Sequence, residues 1–489
     1  MAGSEPHART LTLRGWLGYV CLLLLSQTSA QQPSSADRFR GGARRPPPTN
    51  GANGTVAGKS ADSAHRMLDD GFFRRSETTL DGLHTIAQAL HHAQQKGQLR
   101  LAILGGSVSA GGGCRSGCAV SPKVMSECGL CWPDVLRDHM RSLGLHVKIV
   151  NGARGSTGPD FAYLCADMLL QQQNATRYTV HAYNWKFDLA ILEFAINAGR
   201  GPDCTKIGPT MEALLSRAQA MARSVIFLNT FSRNVYMDAA MCFDILARHR
   251  SIPSLSWKDA LWPLIRDGRV EPASVFQVPL LHHPNVEGHR QIGMIVARLL
   301  EKVNATSMRK PAPMVEKDPL PVYGEGGKGV HNASLPFGQC VEPAKFKPAA
   351  SHGWAMKLGH PWWSASAENA SLSVPFVCEQ AGCGLIVLLT QSYQPLGMLD
   401  IYVDGELRHQ KVSAAARSWA LTQNPKWTVQ RIFKVVDPGP SKGLRAGSHA
   451  LVVVCRGETD PALAAVPFLG NTYVPNEVHI RGFVIIYEE

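Results

Sequence analysis

The sequence predicts an α/β protein, a three-layer α/β/α sandwich around a parallel sheet, followed by a separate all-β sandwich domain. Three observations predict it. Between residues 64 and 310, short apolar runs alternate with longer stretches of helical periodicity, the pattern of strands buried on both faces and joined by helices. Between residues 339 and 489 the apolar runs continue with no helical stretch between them. The segment 311–338 separates the two and is crowded with Pro and Gly, which reads as a linker. With 489 residues, 45% of them hydrophobic, the chain is too long for one core and apolar enough for two.

Residues 1–30 read as a cleaved secretory signal. Arg9 and Arg14 precede an apolar run from Trp16 to Leu25, and small residues follow to Thr28-Ser29-Ala30. That run is about half the roughly twenty residues a spanning helix needs, so no membrane span is expected after cleavage. Residues 31–63 are rich in Gly, Pro, Ser and Ala without apolar periodicity, and read as a disordered stem. The stem's GTVAGKS is not a phosphate loop, because Asn53 stands where the first glycine is needed and no strand precedes it.

In the 64–310 region the strands are Arg100–Gly105 (RLAILG), His146–Val150, Leu189–Phe194 (LAILEF) and Ser224–Leu228. The helices between and after them are Asp81–Gln94, Pro133–Leu143, Phe161–Gln172, Met211–Arg223 and Val286–Val303. In the last, Ile292, Ile295, Leu299 and Val303 recur at three- and four-residue steps and form one apolar face. In the 339–489 region, Asp404-Gly405 between two alternating runs signals a β-hairpin. The tryptophans at 354, 362, 363, 419 and 427 read first as sandwich core and second as a platform for stacking on sugar rings.

The formal charge of +12 does not imply a nucleic-acid partner. Seven basic and three acidic residues fall in 1–63, and no later basic run interleaves with aromatics as nucleic-acid grooves do. Twelve Cys are present, eleven outside the signal. Cys114, Cys118, Cys128 and Cys131 form C-x3-C-x9-C-x2-C, whose middle spacing is short for a zinc ribbon, so two local disulfides are expected and no metal. Cys340, Cys378, Cys383 and Cys455 are expected to make two further bridges. Five Asn-x-Ser/Thr sequons, at Asn53, Asn174, Asn304, Asn332 and Asn369, would accept glycans on the secretory route.

In α/β sheets chemistry gathers beyond the C-terminal ends of the strands. There the sequence places Ser107 in GGSVSAGGG, Gly155 in NGARGSTG, Asn197 in LEFAINAG, and His282, His283 and His289 in LLHHPNVEGH. The G-x-S-x-G elbow of α/β-hydrolases fails, because position 109 is Ser. The order nevertheless suits acyl transfer, which needs a nucleophile, oxyanion donors and a base.

These blocks resemble those of the SGNH hydrolases, the GDSL esterase and lipase family, over roughly residues 95–305. GGSVSAG looks like the first block with Gly106 where Asp is common. NGARGST is similar to the second, LEFAINA to the third, and HHPNVEGH to the Asp-x-x-His-Pro-Asn block. The resemblance implies a flavodoxin-like sheet, Ser107 as nucleophile, Gly155 and Asn197 as oxyanion donors with the Ser107 N–H, and His283 as base. It implies no cofactor. Leu280 stands where the family places its acid, which leaves a backbone carbonyl or a carboxylate from elsewhere, such as Asp259, to orient His283. The chain is thus expected to be a serine esterase of the extracellular space or the Golgi/ER lumen, acting on an acylated glycan through an acyl-serine. The alternatives are a glycan O-acyltransferase or a catalytically weak glycan-binding protein.

Overall fold

The computed structural model describes residues 68–114, 131–170, 186–198, 204–233, 239–278, 281–306, 337–341, 347–356, 362–392, 397–413, 428–459 and 477–487. All of them belong to one compact unit, Lys59–Glu489. The signal, the stem and most of the linker lie outside the described residues, as do the sequons at Asn53, Asn174 and Asn332.

The first part runs α1 (Asp70–Ser76), β1 (Glu77–Thr79), α2 (Leu83–Gln95), β2 (Leu99–Gly105), α3 (Trp132–Ser142), β3 (Val147–Asn151), α4 (Pro159–Leu169), β4 (Phe187–Glu193), α5 (Cys204–Met221), β5 (Ala222–Asn229), α6 (Ala240–His249), β6 (Ser254–Ser256), α7 (Trp257–Arg266) and α8 (Val286–Thr306). The sheet order is β1-β6-β5-β4-β2-β3, parallel throughout except that β1 pairs antiparallel with β6. The sheet is therefore mixed at one edge. Strands β1 and β6 are three residues each, too short to give a period in the sequence.

The near-continuous apolar runs have their cause in burial on both faces. In β2, Leu101 and Ile103 join one core with α2, α3, α7 and α8, while Ala102 and Leu104 join a second with α4, α5 and α6. Helix α7 starts at a cap, the Ser256 hydroxyl accepting from the Asp259 N–H at 3.1 Å. Helix α5 begins before the expected Met211 and passes through Pro209; buried Ile207, Met211 and Leu214 and the Cys204–Cys242 disulfide anchor its first turns.

The second part is all antiparallel. One sheet joins β15 (Thr428–Val436), β12 (Gly384–Ser392), β17 (Val478–Tyr487), β10 (Trp363–Ala365) and β9 (Ala355–Met356), with β7 (Phe337–Val341) also on β17. The other joins β14 (Glu406–Ser413), β13 (Gly397–Val403), β16 (Gly447–Thr459), β11 (Ser371–Cys378) and β8 (Ala350–His352). Asp404 and Gly405 form the β13–β14 turn with φ of 52° and 82°, the doubly left-handed geometry of a tight hairpin. Leu385, Val387 and Leu389 of β12 face the core between the two sheets, whereas Ile386 and Leu388 reach the core shared with α4 and α5. The first of these sheets is thus covered on both sides.

One bridge falls within each expected group, Cys114–Cys131 and Cys378–Cys383, pairings the sequence leaves open; Cys118 and Cys128 lie outside the described residues. The expected second bridge of the C-terminal group is not formed. Cys340 on edge strand β7 meets Cys165 of α4, against which β7 packs, and Cys455 stays a buried thiol. The sugar-platform reading fails for two tryptophans. Trp354 is buried in the core, and Trp362 is covered by His479 on one ring contact and by Arg481 on another. Trp419 and Trp427 lie outside the described residues. No described helix is long and apolar enough to cross a membrane.

Candidate active site

Strand β2 ends at Gly105, and the chain turns sharply through 106–114. The Ser107 carbonyl accepts from the Gly112 N–H at 2.7 Å, and the Gly106 carbonyl from Ala110 N–H at 3.1 Å. The glycines here make room for neighbouring chain. A Cβ on Gly106 would lie 2.0 Å from Asn197 Oδ1, and one on Gly113 would lie 2.0 Å from the Pro284 carbonyl. Gly113 also has φ of 92°, which favours glycine. Hence the glycine run lets the loops carrying Asn197 and His283 close onto the serine turn.

The four sequence-predicted residues converge. The Ser107 hydroxyl is 2.8 Å from His283 Nε2. A Cβ built on Gly155 would lie 3.9 Å from Ser107 Cβ, so that glycine turn faces the serine. Asn197 sits in the turn after β4, its amide oxygen toward Gly106 and its nitrogen farther off. Ser156, next to Gly155, takes φ of 64°, which turns the Gly155 carbonyl toward Arg481 of β17; Nη1 donates to it at 3.4 Å.

The two histidine rings pack in a tilted contact, 4.3 Å between ring centres and 55° between planes. His282 Nδ1 lies 3.0 Å from the Ser232 hydroxyl. Burial pushes His283 down to about 4, and burial together with the neighbouring His283 pushes His282 down to about 3, so both rings are neutral near pH 7. Among the described residues no carboxylate lies within ion-pair distance of His283. Asp259 is not that acid. It sits in the first turn of α7, where its charge acts on Asp244. Leu280 lies outside the described residues.

His289, the third histidine of the motif, is a strut. Its Nδ1 accepts from the Trp132 N–H at 3.3 Å and its Nε2 lies 2.9 Å from the Gly112 carbonyl, which fixes the proton on Nε2. It ties the serine turn to the start of α3, beside the Cys114–Cys131 bridge.

Sequence reasoning passed over Glu193, the last residue of β4. Its carboxylate is fully buried and accepts from Thr230 Oγ1 at 2.5 Å, Ser109 Oγ at 2.9 Å and Ser109 N–H at 3.3 Å. Burial pushes its pKa up to about 7 against those hydrogen bonds. The signal was in plain view, a charged residue in the otherwise apolar run LAILEF. Among the described residues no group of three or more His, Cys, Asp or Glu is placed to hold a metal ion.

An open, mostly parallel sheet flanked by helices with an appended all-β region has counterparts among solved structures. Two of them align at TM-scores of 0.55 and 0.53, each 16% identical over 85% of this chain and 99% and 98% of their own. Both are structures of a two-domain esterase active on acetylated mannans, the second co-crystallized with mannopentaose. The fold is that of a two-domain esterase. At this identity the likeness is one of fold alone. An acetylxylan esterase from Geobacillus stearothermophilus aligns at a TM-score of 0.31, 14% identical over 41% of this chain and 94% of its own, too low to argue from. No protein-family model matches the chain, and no curated protein matches it. In this sheet the Ser107–His283 pair lies outside the C-terminal ends of β2, β3 and β4, where open α/β sheets gather their chemistry.

Proposed function

We propose that the protein is a serine esterase of the SGNH type, with a hydrolase domain over 64–310 and a β-sandwich domain over 339–489, removing acyl groups from a glycan. The single observation that carries this reading is the 2.8 Å approach of Ser107 Oγ to His283 Nε2 beside Gly155 and Asn197. The two-domain esterases active on acetylated mannans, which share the fold, favour acetyl as the acyl group and a polysaccharide as its carrier.

In this mechanism Ser107 Oγ attacks the ester carbonyl carbon as His283 Nε2 takes its proton. The oxyanion is held by the Ser107 and Gly155 N–H groups and by Asn197 Nδ2. Collapse breaks the bond to the sugar oxygen, which leaves with the proton from His283. Water then attacks the acyl-serine carbonyl, giving its proton to His283; collapse breaks the bond to Ser107 Oγ, which takes that proton back from His283, and the free acid departs.

The chain reaches an oxidising compartment in this reading, which its disulfides support, and residues 1–30 are removed on the way. The lack of a carboxylate beside His283 among the described residues favours slow turnover. Loss of the acid costs about 10⁴-fold in serine proteases. Acetate release from acetylated mannan by the purified protein tests the reading. Release that disappears in Ser107→Ala supports it; release equal in the two proteins, or none from either, overturns it.

A further inference from the structure

We infer that Glu193 and Ser109 form a clamp that holds the nucleophile turn in register, with Glu193 acting as a positioning residue for Ser107. The inference rests on Ser107 being the nucleophile.

Ser109 is fixed through each of its polar groups. Its N–H and hydroxyl both donate to Glu193 Oε2, its carbonyl accepts from Asn151 Nδ2 at 2.7 Å, and its hydroxyl accepts from Trp132 Nε1 at 3.2 Å. These partners come from β4, β3 and α3, so the residue two beyond Ser107 is tied to three elements at once. Glu193 is further held by the Thr230 hydroxyl after β5, and its own carbonyl accepts the Gly106 N–H at 3.1 Å. The turn is thus grasped on both sides of the serine, at 106 and at 109. Glu193, Ser109, Trp132 and Thr230 are all at most 1% exposed.

A core does not need a carboxylate for stability, since burying one costs several kcal/mol unless hydrogen bonds compensate. Here every side-chain donor it meets belongs to the serine turn or to Thr230, the residue that follows β5. Gly105 completes the fit, because a Cβ there would lie 2.8 Å from Ser109 Oγ. In the G-x-S-x-G elbow position 109 would be glycine, with no side chain for such a bond. The departure from that motif is therefore the clamp itself.

The test separates hydrogen bonding from packing. Glu193→Leu keeps the volume but removes the acceptors, leaving the Ser109 N–H and hydroxyl unpaired. Glu193→Gln keeps an amide oxygen for Ser109 and offers its NH₂ to the Thr230 hydroxyl. With an aryl acetate, Glu193→Leu is expected to lower kcat by on the order of 10²-fold with KM within about twofold, the scale of a misplaced reacting group. Glu193→Gln is expected to recover most of that loss. Ser109→Ala, which keeps its N–H, falls between them. Hydrogen exchange of amides 105–113, measured on the Ser107→Ala background, reads the clamp without any turnover. It should accelerate at least tenfold in Glu193→Leu and stay near the parent rate in Glu193→Gln. Unchanged exchange in folded Glu193→Leu, equal loss of kcat in the Gln and Leu variants, or a rise in KM with kcat intact each overturns the inference. If Glu193→Leu does not fold, Ser109→Ala and Glu193→Gln decide it by the same two readouts. An inactive wild type would sink the esterase reading and leave the exchange comparison to decide the clamp.

Discussion

Arg481 of β17 donates from Nη1 to the carbonyl of Gly155 at 3.4 Å, so the C-terminal sheet touches the turn that faces Ser107. The guanidinium also stacks on Trp362, 4.7 Å from the ring centre, and Trp362 stacks on the buried ring of His479, whose Nε2 lies 2.9 Å from the Glu477 carboxylate. A column of packed side chains thus runs from the all-β part to the glycine turn that faces Ser107.

Removing that column's tip should loosen the Gly155 turn without touching the nucleophile. Arg481→Ala is expected to lower kcat by roughly fivefold, the effect of about 1 kcal/mol for one long, half-exposed charged hydrogen bond. KM for a small aryl acetate should stay put. Steady-state kinetics check it, and an unchanged kcat contradicts it.

The base should work in acid. His283 must be neutral to accept the serine proton, and burial holds it down to about 4, so kcat/KM should keep an acid limb near pH 4. A limb near 6.5, the value of an exposed histidine, would contradict the buried pair. The same burial sets a stability term for both rings. Below pH 6.5 the unfolded chain binds protons that the folded histidines refuse, so their contribution is present above 6.5 and is lost as pH falls toward about 4 for His283 and about 3 for His282.

Glu193 acts with the opposite sign. Its pKa is raised from 4.5 to about 7 by burial alone, with only hydroxyl and backbone hydrogen bonds against it. Between those values the folded state binds the extra proton, so its contribution is complete below 4.5 and is lost as pH rises through 7. The span is on the order of 3 kcal/mol. Protonation leaves the Ser109 bonds in place, because the proton can sit on Oε1 and face the Thr230 hydroxyl. The thermal stability of Glu193→Gln relative to wild type should therefore increase as pH rises from 5 to 8. A difference independent of pH would contradict the raised pKa.

The sequence disclosed the site where chemistry coincides with a strand end. Ser107, Gly155 and Asn197 each follow an apolar run, and His283 precedes a strongly periodic helix, so their placement follows from topology. What was hidden depends on distance across the fold. Glu193 was visible as a charge in LAILEF, yet only the structure places Ser109 and Thr230 on it. His289 offers the same imidazole as His283, and its role as a strut comes from the Trp132 N–H and Gly112 carbonyl that meet it. Cys340 pairs with Cys165 because β7 lies on α4, a contact that no count of C-terminal cysteines conveys. The β12 run GLIVLLT reads as a strand, but its second buried face belongs to the α/β part.

Covalent labelling by a fluorophosphonate, followed by peptide mapping, tests the central claim most directly, because only a serine activated by a base reacts. One adduct on Ser107, absent in Ser107→Ala and slowed at least a hundredfold in His283→Ala but not in His282→Ala, is the predicted result. No adduct on wild-type protein, or an adduct that survives Ser107→Ala, would contradict it.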